Sequence, residues 1–133
     1  MASITNAVLS ISHDHRKQLA VPTVKCKVKF SALELCQMKN CPEAKLFKLK
    51  CQLWGQDGFL TGADDFLFTY SNVFYFPDSS PAATEDRTFT VTLGEGVLDE
   101  DWGQDEIYGK LILQNLLTGN SGSRNTNVVS HSF

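Results

Sequence analysis

The fold is decided by residues 24–30, VKCKVKF, in which apolar and basic side chains alternate one by one. Successive side chains of an extended strand point to opposite faces, so one face of this segment is apolar and the other carries three lysines. The same alternation returns in residues 47–53, FKLKCQL, after a polar break at residues 37–42. We therefore predict two strands, each of which turns an apolar face towards a core.

These two strands are predicted to pair with each other as an antiparallel hairpin. In such a pair the numbers of directly opposed residues add to a constant, and Cys26 opposite Cys51 gives the same sum as Phe30 opposite Phe47. Their inner faces then form one continuous apolar surface.

The hairpin register also predicts one basic face on the outer side. It sets the lysines in directly opposed pairs, Lys27 with Lys50 and Lys29 with Lys48. Like charges in opposed positions are destabilising, so acids of a neighbouring strand, an anionic ligand or water must offset their repulsion. If an anionic ligand offsets the repulsion, these four lysines are the residues that bind it.

Strand patterns also occur in the rest of the chain. Alternating or β-branched runs lie at residues 7–11, 66–76, 88–93, 107–116 and 125–133. Turn-forming segments separate them, and no stretch of a dozen residues has helical spacing. We predict an all-β fold, a single antiparallel β-sandwich of about seven to eight strands over residues 1–133. A jelly-roll-like arrangement is one form that such a sandwich takes, and a small closed barrel is the alternative to a sandwich.

Charge is divided unevenly along the chain, although the formal net charge is only −3. Residues 1–50 have nine basic and three acidic side chains, and residues 51–133 have three basic and twelve acidic ones. Basic and acidic surfaces on one molecule favour either neutralisation within the monomer or head-to-tail self-association. Because the whole chain is acidic, nucleic acid is not an expected partner.

The sequence also bears on the cellular compartment. No segment has the length and composition of a transmembrane helix, and the start, MASITN, lacks the regions of a cleaved secretory signal. We therefore expect a cytoplasmic protein, or one exported without a cleaved signal peptide. Thiols are expected in the first case and disulfides become possible in the second. The cysteines concerned are Cys26, Cys36, Cys41 and Cys51.

A cluster of carboxylates lies in residues 98–109, LDEDWGQDEIYG. Five acids within eight residues repel one another, and a hard cation such as calcium relieves the repulsion by taking oxygen ligands. Together with residues 110–113, the segment resembles the third calcium loop of C2 domains, in which an Asp-x-Asp run precedes another Asp and a Gly that opens the last strand. The resemblance implies a C2-like sandwich with calcium as its cofactor. It places Asp99, Asp101, Asp105 and Gly109 in the motif positions.

The chain departs from the C2 pattern in the first loop, which also supplies aspartates in that family. The corresponding residues 37–43, QMKNCPE, contain one acid, Glu43, and add Lys39. Half of the calcium cage is therefore missing. The rival interpretation of the cluster is an acidic, solvated turn.

Two tryptophans are the aromatic candidates for ligand binding. Trp54 has the outward parity of the lysines in its strand, and Trp102 lies within the acidic loop. Aromatic rings beside carboxylates and amides suit sugars, whose C–H faces stack on the ring while hydroxyl groups find polar partners. The sequence predicts a non-catalytic binding module that recognises a sugar, an anionic headgroup or a protein surface through the acidic loop. The alternative is a structural protein that self-assembles into a homo-oligomer or filament.

Histidines provide a third hypothesis. His13 and His15 lie on the same side of a predicted strand and can hold zinc or copper if a third ligand is near. His131 is the one other histidine, and an exposed polar strand end is the alternative interpretation. The sequence has no Gly-x-Ser-x-Gly motif and no His–acid relay, so an enzyme is not predicted.

Overall fold

The computed structural model describes residues 2–40, 46–56, 64–75, 82–98 and 105–131. Within these ranges the chain forms nine β-strands, one α-helix and one short 3-10 helix. The strands are β1 (Ser3–Asp14), β2 (Leu19–Lys29), β3 (Phe47–Gly55), β4 (Asp65–Thr69), β5 (Val73–Tyr75), β6 (Thr84–Thr90), β7 (Leu93–Gly94), β8 (Asp105–Asn115) and β9 (Ser121–His131). The helix α1 spans Ala32–Asn40, and the 3-10 helix spans Glu95–Val97.

The strands form two antiparallel sheets. The first sheet has the order β1-β2-β6, with β7 also paired to β2, and the second has the order β4-β3-β8-β9, with β5 also paired to β3. Their apolar faces enclose the core, where Val24 and Val28 of one sheet and Leu49 and Leu53 of the other are fully buried. The prediction of an all-β antiparallel sandwich is confirmed, with nine described strands in place of seven or eight. No helix in the described ranges has the length and apolar character to cross a membrane.

The predicted pairing of residues 24–30 with residues 47–53 is wrong. β2 pairs with β1, β6 and β7, whereas β3 pairs with β4, β5 and β8. The two strands face each other across the core, where the ring centroids of Phe30 and Phe47 are 5.1 Å apart. Both apolar faces are buried as predicted, but they meet face to face because α1 follows β2 and the chain leaves the first sheet before β3 begins.

α1 begins with a signal that apolar spacing does not reveal. Ser31 and Glu34 form a capping box, in which the Ser31 N–H donates to Glu34 Oε1 (2.8 Å) and the Glu34 N–H donates to Ser31 Oγ (3.2 Å). Glu34 Oε2 also accepts the N–H of Ala2 at 2.9 Å. Burial alone would raise the pKa of Glu34, but these hydrogen bonds outweigh it and hold the pKa below its usual value.

β1 and β9 lie against each other along one side of the sandwich, which we call the closed edge. The side chain of Asn127 makes the hydrogen bonds that the backbone of a paired strand would make there. Its Oδ1 accepts the Leu9 N–H (2.8 Å) and its Nδ2 donates to the Leu9 carbonyl (3.1 Å). β1 has a bulge at Asn6, which has a positive φ of 52°. β9 has a second bulge, which lies opposite Gly109 of β8. There the inward-pointing Thr126 accepts the Gly109 N–H through its Oγ1 at 2.8 Å.

The opposite side of the sandwich, between β4 and β6, is the open edge. Here the Tyr70 hydroxyl, just after β4, donates to the carbonyl of Pro22 in β2 at 2.8 Å and so ties the two sheets together. On β6, Arg87 and Glu85 lie opposite buried residues of β2 and pair with each other at 3.5 Å. Inward-pointing charges on an edge strand hinder the addition of another strand.

Candidate functional site

The structure separates the four lysines of the predicted basic face. Lys27 and Lys29 are exposed on the outer side of the first sheet, whereas Lys48 and Lys50 are half-buried on the outer side of the second. Lys27 Nζ also lies 3.9 Å from a carboxylate oxygen of Asp86 on β6, which offsets its charge. The basic face does not form because the two strands belong to different sheets.

The outer side of the second sheet brings three of the predicted residues together, and we call it the Trp54 face. Its β3 residues are Lys48, Lys50, Gln52 and Trp54, and the directly opposed β8 residues are Gln114, Ile112, Lys110 and Tyr108. Alternate residues of a strand are about 6.8 Å apart, so the row from Lys48 to Trp54 is about 20 Å long. The face is therefore an extended strip rather than a closed pocket.

The indole of Trp54 is held in place on this strip. Its Nε1 donates to Gln52 Oε1 at 3.1 Å, and the indole and Phe66 rings pack edge to face with centroids 5.7 Å apart. Lys110 Nζ lies 5.6 Å from the centroid of the indole ring, within cation–π range. Trp54 is half-buried and Phe66 is 51% exposed, so the cluster offers a fixed aromatic edge to solvent.

Three lysines give the Trp54 face a positive charge. Lys48, Lys50 and Lys110 have no carboxylate within 4.0 Å among the residues that the structure describes. Lys110 is a site residue that was not predicted, although the alternation within residues 107–113 gives it outward parity. The unbalanced charges favour an anionic ligand on the Trp54 face.

The aromatic end of the strip is more acidic. The Tyr108 hydroxyl donates to Asp64 Oδ2 at 2.6 Å, and Glu106 follows with an exposed side chain. Burial, and then the Asp64 carboxylate, raise the pKa of Tyr108 to about 12, so the phenol remains protonated near neutral pH. The strip thus has an acidic end beyond Tyr108 and a basic end at Lys48 and Lys50.

The predicted calcium loop lies largely outside the described residues, which exclude Asp99, Asp101 and Trp102, together with Glu43 of the first loop. Asp105 is the first residue of β8 and pairs with His131, and neither side chain is described. Calcium binding at this loop therefore stays a prediction. Residues 110–113 lie inside β8, which begins at Asp105 rather than opening at Gly109, and which is followed by β9.

His13, which lies in β1, and His15, in the turn that follows the strand, do come together. Their ring centroids are 3.9 Å apart, and the third donor group beside them is the carboxylate of Glu95. Glu95 is a residue that sequence reasoning missed, because no local motif links it to a strand some 80 positions earlier. His131 ends β9, and its side chain is not described.

The cysteines of the described residues are free thiols: Cys26 and Cys51 are buried and Cys36 is exposed, while Cys41 lies outside the described ranges. Burial is the main cause that raises the pKa of Cys26 to about 11, and it also raises the pKa of Cys51. Both buried thiols therefore stay protonated and act as core residues.

Comparison with known proteins adds little to this geometry. No protein family and no curated protein matches the sequence. Among solved structures, a crystal structure of an ApaA protein from Bordetella pertussis is similar over 100% of this chain and 92% of its own length, with 9% sequence identity and a TM-score of 0.35. At that TM-score the likeness indicates neither fold nor function.

Proposed function

We propose that the chain is a non-catalytic binding module whose Trp54 face recognises an anionic carbohydrate. The observation that carries the proposal is the indole of Trp54, held next to Lys110, on the same face as Lys48 and Lys50, and none of these three lysines has a described carboxylate partner. The indole stacks on the C–H face of a sugar ring, and the ammonium groups pair with its sulfate or carboxylate groups.

The shape of the face favours an extended ligand over a small one. The strip is about 20 Å long, and its lysines lie at one end and in the middle, at the positions opposite Gln114, Ile112 and Gln52. Gln52 and Gln114 add amide groups that hydrogen-bond to hydroxyls. A polysaccharide that lies along the strip contacts all these groups at once, whereas a lipid headgroup reaches only some of them.

The proposal also includes a calcium ion in the acidic loop. The carboxylates Asp99, Asp101 and Asp105 bind calcium, and the bound ion bridges to an anionic or hydroxylated ligand in the way that the C2 resemblance implies. If so, EDTA weakens carbohydrate binding and Asp101→Asn reproduces the effect of EDTA. If EDTA has no effect, the loop is a solvated turn and the Trp54 face acts alone.

The direct test measures binding of the full chain to dextran sulfate, with neutral dextran as the uncharged probe. We expect binding to dextran sulfate that weakens with salt, because exposed charges are screened. Lys50→Gln and Lys110→Gln each remove up to about 1 kcal/mol, which is a loss of up to about fivefold in affinity. Lys25→Gln is the matched control, since Lys25 is exposed on the opposite side of the sandwich.

The same samples separate this proposal from its rivals. Equal binding by Lys25→Gln, Lys50→Gln and Lys110→Gln contradicts a role for the Trp54 face. Binding to phosphatidylserine vesicles without binding to dextran sulfate replaces the carbohydrate with a lipid headgroup. A mass well above 14.8 kDa by light scattering that falls with salt supports charge-driven self-assembly instead.

A further inference from the structure

A cluster of metal-binding side chains lies at one end of the first sheet. The inward row of β1 passes through Leu9 and Ile11, which contact the core, and continues to His13, whose side chain is only 4% exposed. His15 follows on the same side of the chain and is 67% exposed. Both imidazoles face the Glu95 carboxylate, which is 20% exposed.

The donor atoms of the cluster are already close to one another. His13 Nε2 is in hydrogen-bond contact with Glu95 Oε2, and His15 Nδ1 lies 3.9 Å from the same oxygen. One nitrogen of each imidazole and one carboxylate oxygen all lie within 4.8 Å of one another. Zinc bonds of about 2.0–2.1 Å in tetrahedral geometry place donors about 3.3 Å apart, so the required movement is below about 1.5 Å.

The backbone holds the two parts of the cluster in register. The Glu95 N–H donates to the carbonyl of Gln18 at 2.9 Å, and the Gln18 N–H donates to the carbonyl of His15 at 3.3 Å. Leu19 and Ala20 of the same hairpin pair with β7, which directly precedes Glu95. The hairpin that carries both histidines is thus bonded to the segment that carries the carboxylate, and the ligand set is assembled before any ion arrives.

We propose that His13, His15 and Glu95 form a binding site for a divalent transition metal ion of the zinc class. Imidazole nitrogens with one carboxylate suit zinc, copper or nickel, whereas calcium takes oxygen ligands almost exclusively. An ion in the site takes the place of the direct contact between His13 Nε2 and Glu95 Oε2. The exposed His15 side leaves a further coordination position open to water or to a ligand atom.

The site is separate from the Trp54 face and does not depend on the proposed function. It lies at the β1–β2 hairpin of the first sheet, whereas the Trp54 face is the outer side of the second sheet. It is also distinct from the predicted calcium loop, since none of its three ligands belongs to residues 98–109.

The test titrates the full chain, stripped with EDTA, with zinc chloride in a calorimeter. We expect one zinc ion per chain, and we expect Glu95→Gln and His15→Gln each to raise the Kd at least tenfold. Glu95→Gln keeps an acceptor for the His13 contact, and His15 is mostly exposed, so both variants preserve the fold. Asp86→Asn is the matched control, because Asp86 is an exposed carboxylate on β6 and its loss leaves the Kd unchanged.

Melting curves and competition sharpen the result. Zinc raises the melting temperature of the wild type and of Asp86→Asn but not of Glu95→Gln, since only a native-state ligand stabilises the fold. A tenfold excess of calcium does not displace zinc from this donor set. The proposal is overturned if the wild type binds no zinc at about 1 mM. It is also overturned if Glu95→Gln binds zinc like the wild type, or if calcium displaces the zinc.

Discussion

Replacing Gly109 with alanine tests how closely the two sheets approach each other. A Cβ at this position of β8 would lie 3.0 Å from Thr126 Cγ2 and 3.1 Å from Val24 Cγ2, which belongs to the opposite sheet. Carbon atoms prefer separations of about 3.5–4.0 Å, so both contacts are short by about 0.5 Å. Because the new methyl group is clamped between a neighbouring strand and the other sheet, moving away from one contact tightens the other.

The expected loss of stability follows from these contacts. Overpacking in a dense core costs about 1–3 kcal/mol, and the smaller conformational entropy of alanine in the unfolded chain returns about 0.4–1 kcal/mol. The net result is a decrease of about 1–2 kcal/mol in the free energy of unfolding. For a chain of this size the melting temperature falls by about 4–8 °C.

A second substitution locates the clash. Thr126→Ser removes the Cγ2 atom but keeps the hydroxyl that accepts the Gly109 N–H. In the Thr126→Ser background, Gly109→Ala should therefore cost about 1 kcal/mol less than in the wild type, a coupling that a double-mutant cycle detects. Gly122→Ala in β9 is the control, because a Cβ there meets nothing within 4 Å.

Urea denaturation of the four variants of the cycle and the control gives these free energies. Two results refute the reasoning. One is a Gly109→Ala variant as stable as the wild type, which means that the sheets separate without cost. The other is an undiminished penalty in the Thr126→Ser background, which means that the strain does not arise at Thr126.

Three further predictions concern other parts of the fold. Asn127→Ala leaves the N–H and carbonyl of Leu9 without their side-chain partner and lowers the free energy of unfolding by about 1–2 kcal/mol. Urea denaturation measures the change, and an unchanged urea midpoint contradicts the bridging role of Asn127. The lowered pKa of Glu34 stabilises the fold above the unfolded pKa of about 4.3, and this contribution is lost as the pH falls through the folded pKa. In Glu34→Gln, the free energy of unfolding measured in urea should therefore decrease less steeply with falling pH than in the wild type. Iodoacetamide should label Cys36 in the native protein but Cys51 only after unfolding, as peptide mapping by mass spectrometry will show; rapid native labelling of Cys51 contradicts its burial.

The alternation in residues 24–30 and 47–53 was enough to predict strands, their buried faces and the sandwich class. It was not enough to predict their partners, because period-two patterning specifies which face is buried but not which strand lies beside it. The capping box at Ser31 and Glu34 marks α1, yet apolar spacing alone does not reveal a helix of nine residues. Local signals therefore determined the elements, and contacts between distant segments determined the topology.

The candidate sites show the same division. Trp54, Lys48 and Lys50 were predicted as ligand-binding residues from parity, and parity does place them together on one face. Lys110 joins them through the β3–β8 pairing, and Glu95 joins His13 through the β2–β7 pairing, neither of which the sequence predicts. Each added residue comes from a strand pairing between segments far apart in the chain.

The contact between β1 and β9 at the closed edge can form only after most of the chain has been synthesised. β1 is made before the other eight described strands, but the strand that covers its free edge is made last of the nine described, and the Asn127–Leu9 contact spans 118 positions. While the ribosome is still adding the residues between them, β1 has an uncovered edge that can pair with another nascent chain. Translation that stalls before Ser121 therefore leaves a product that contains the complete β1–β2 hairpin but has no β9 to cover the free edge of β1. Such products should depend on a chaperone, whereas chains that include β9 should not.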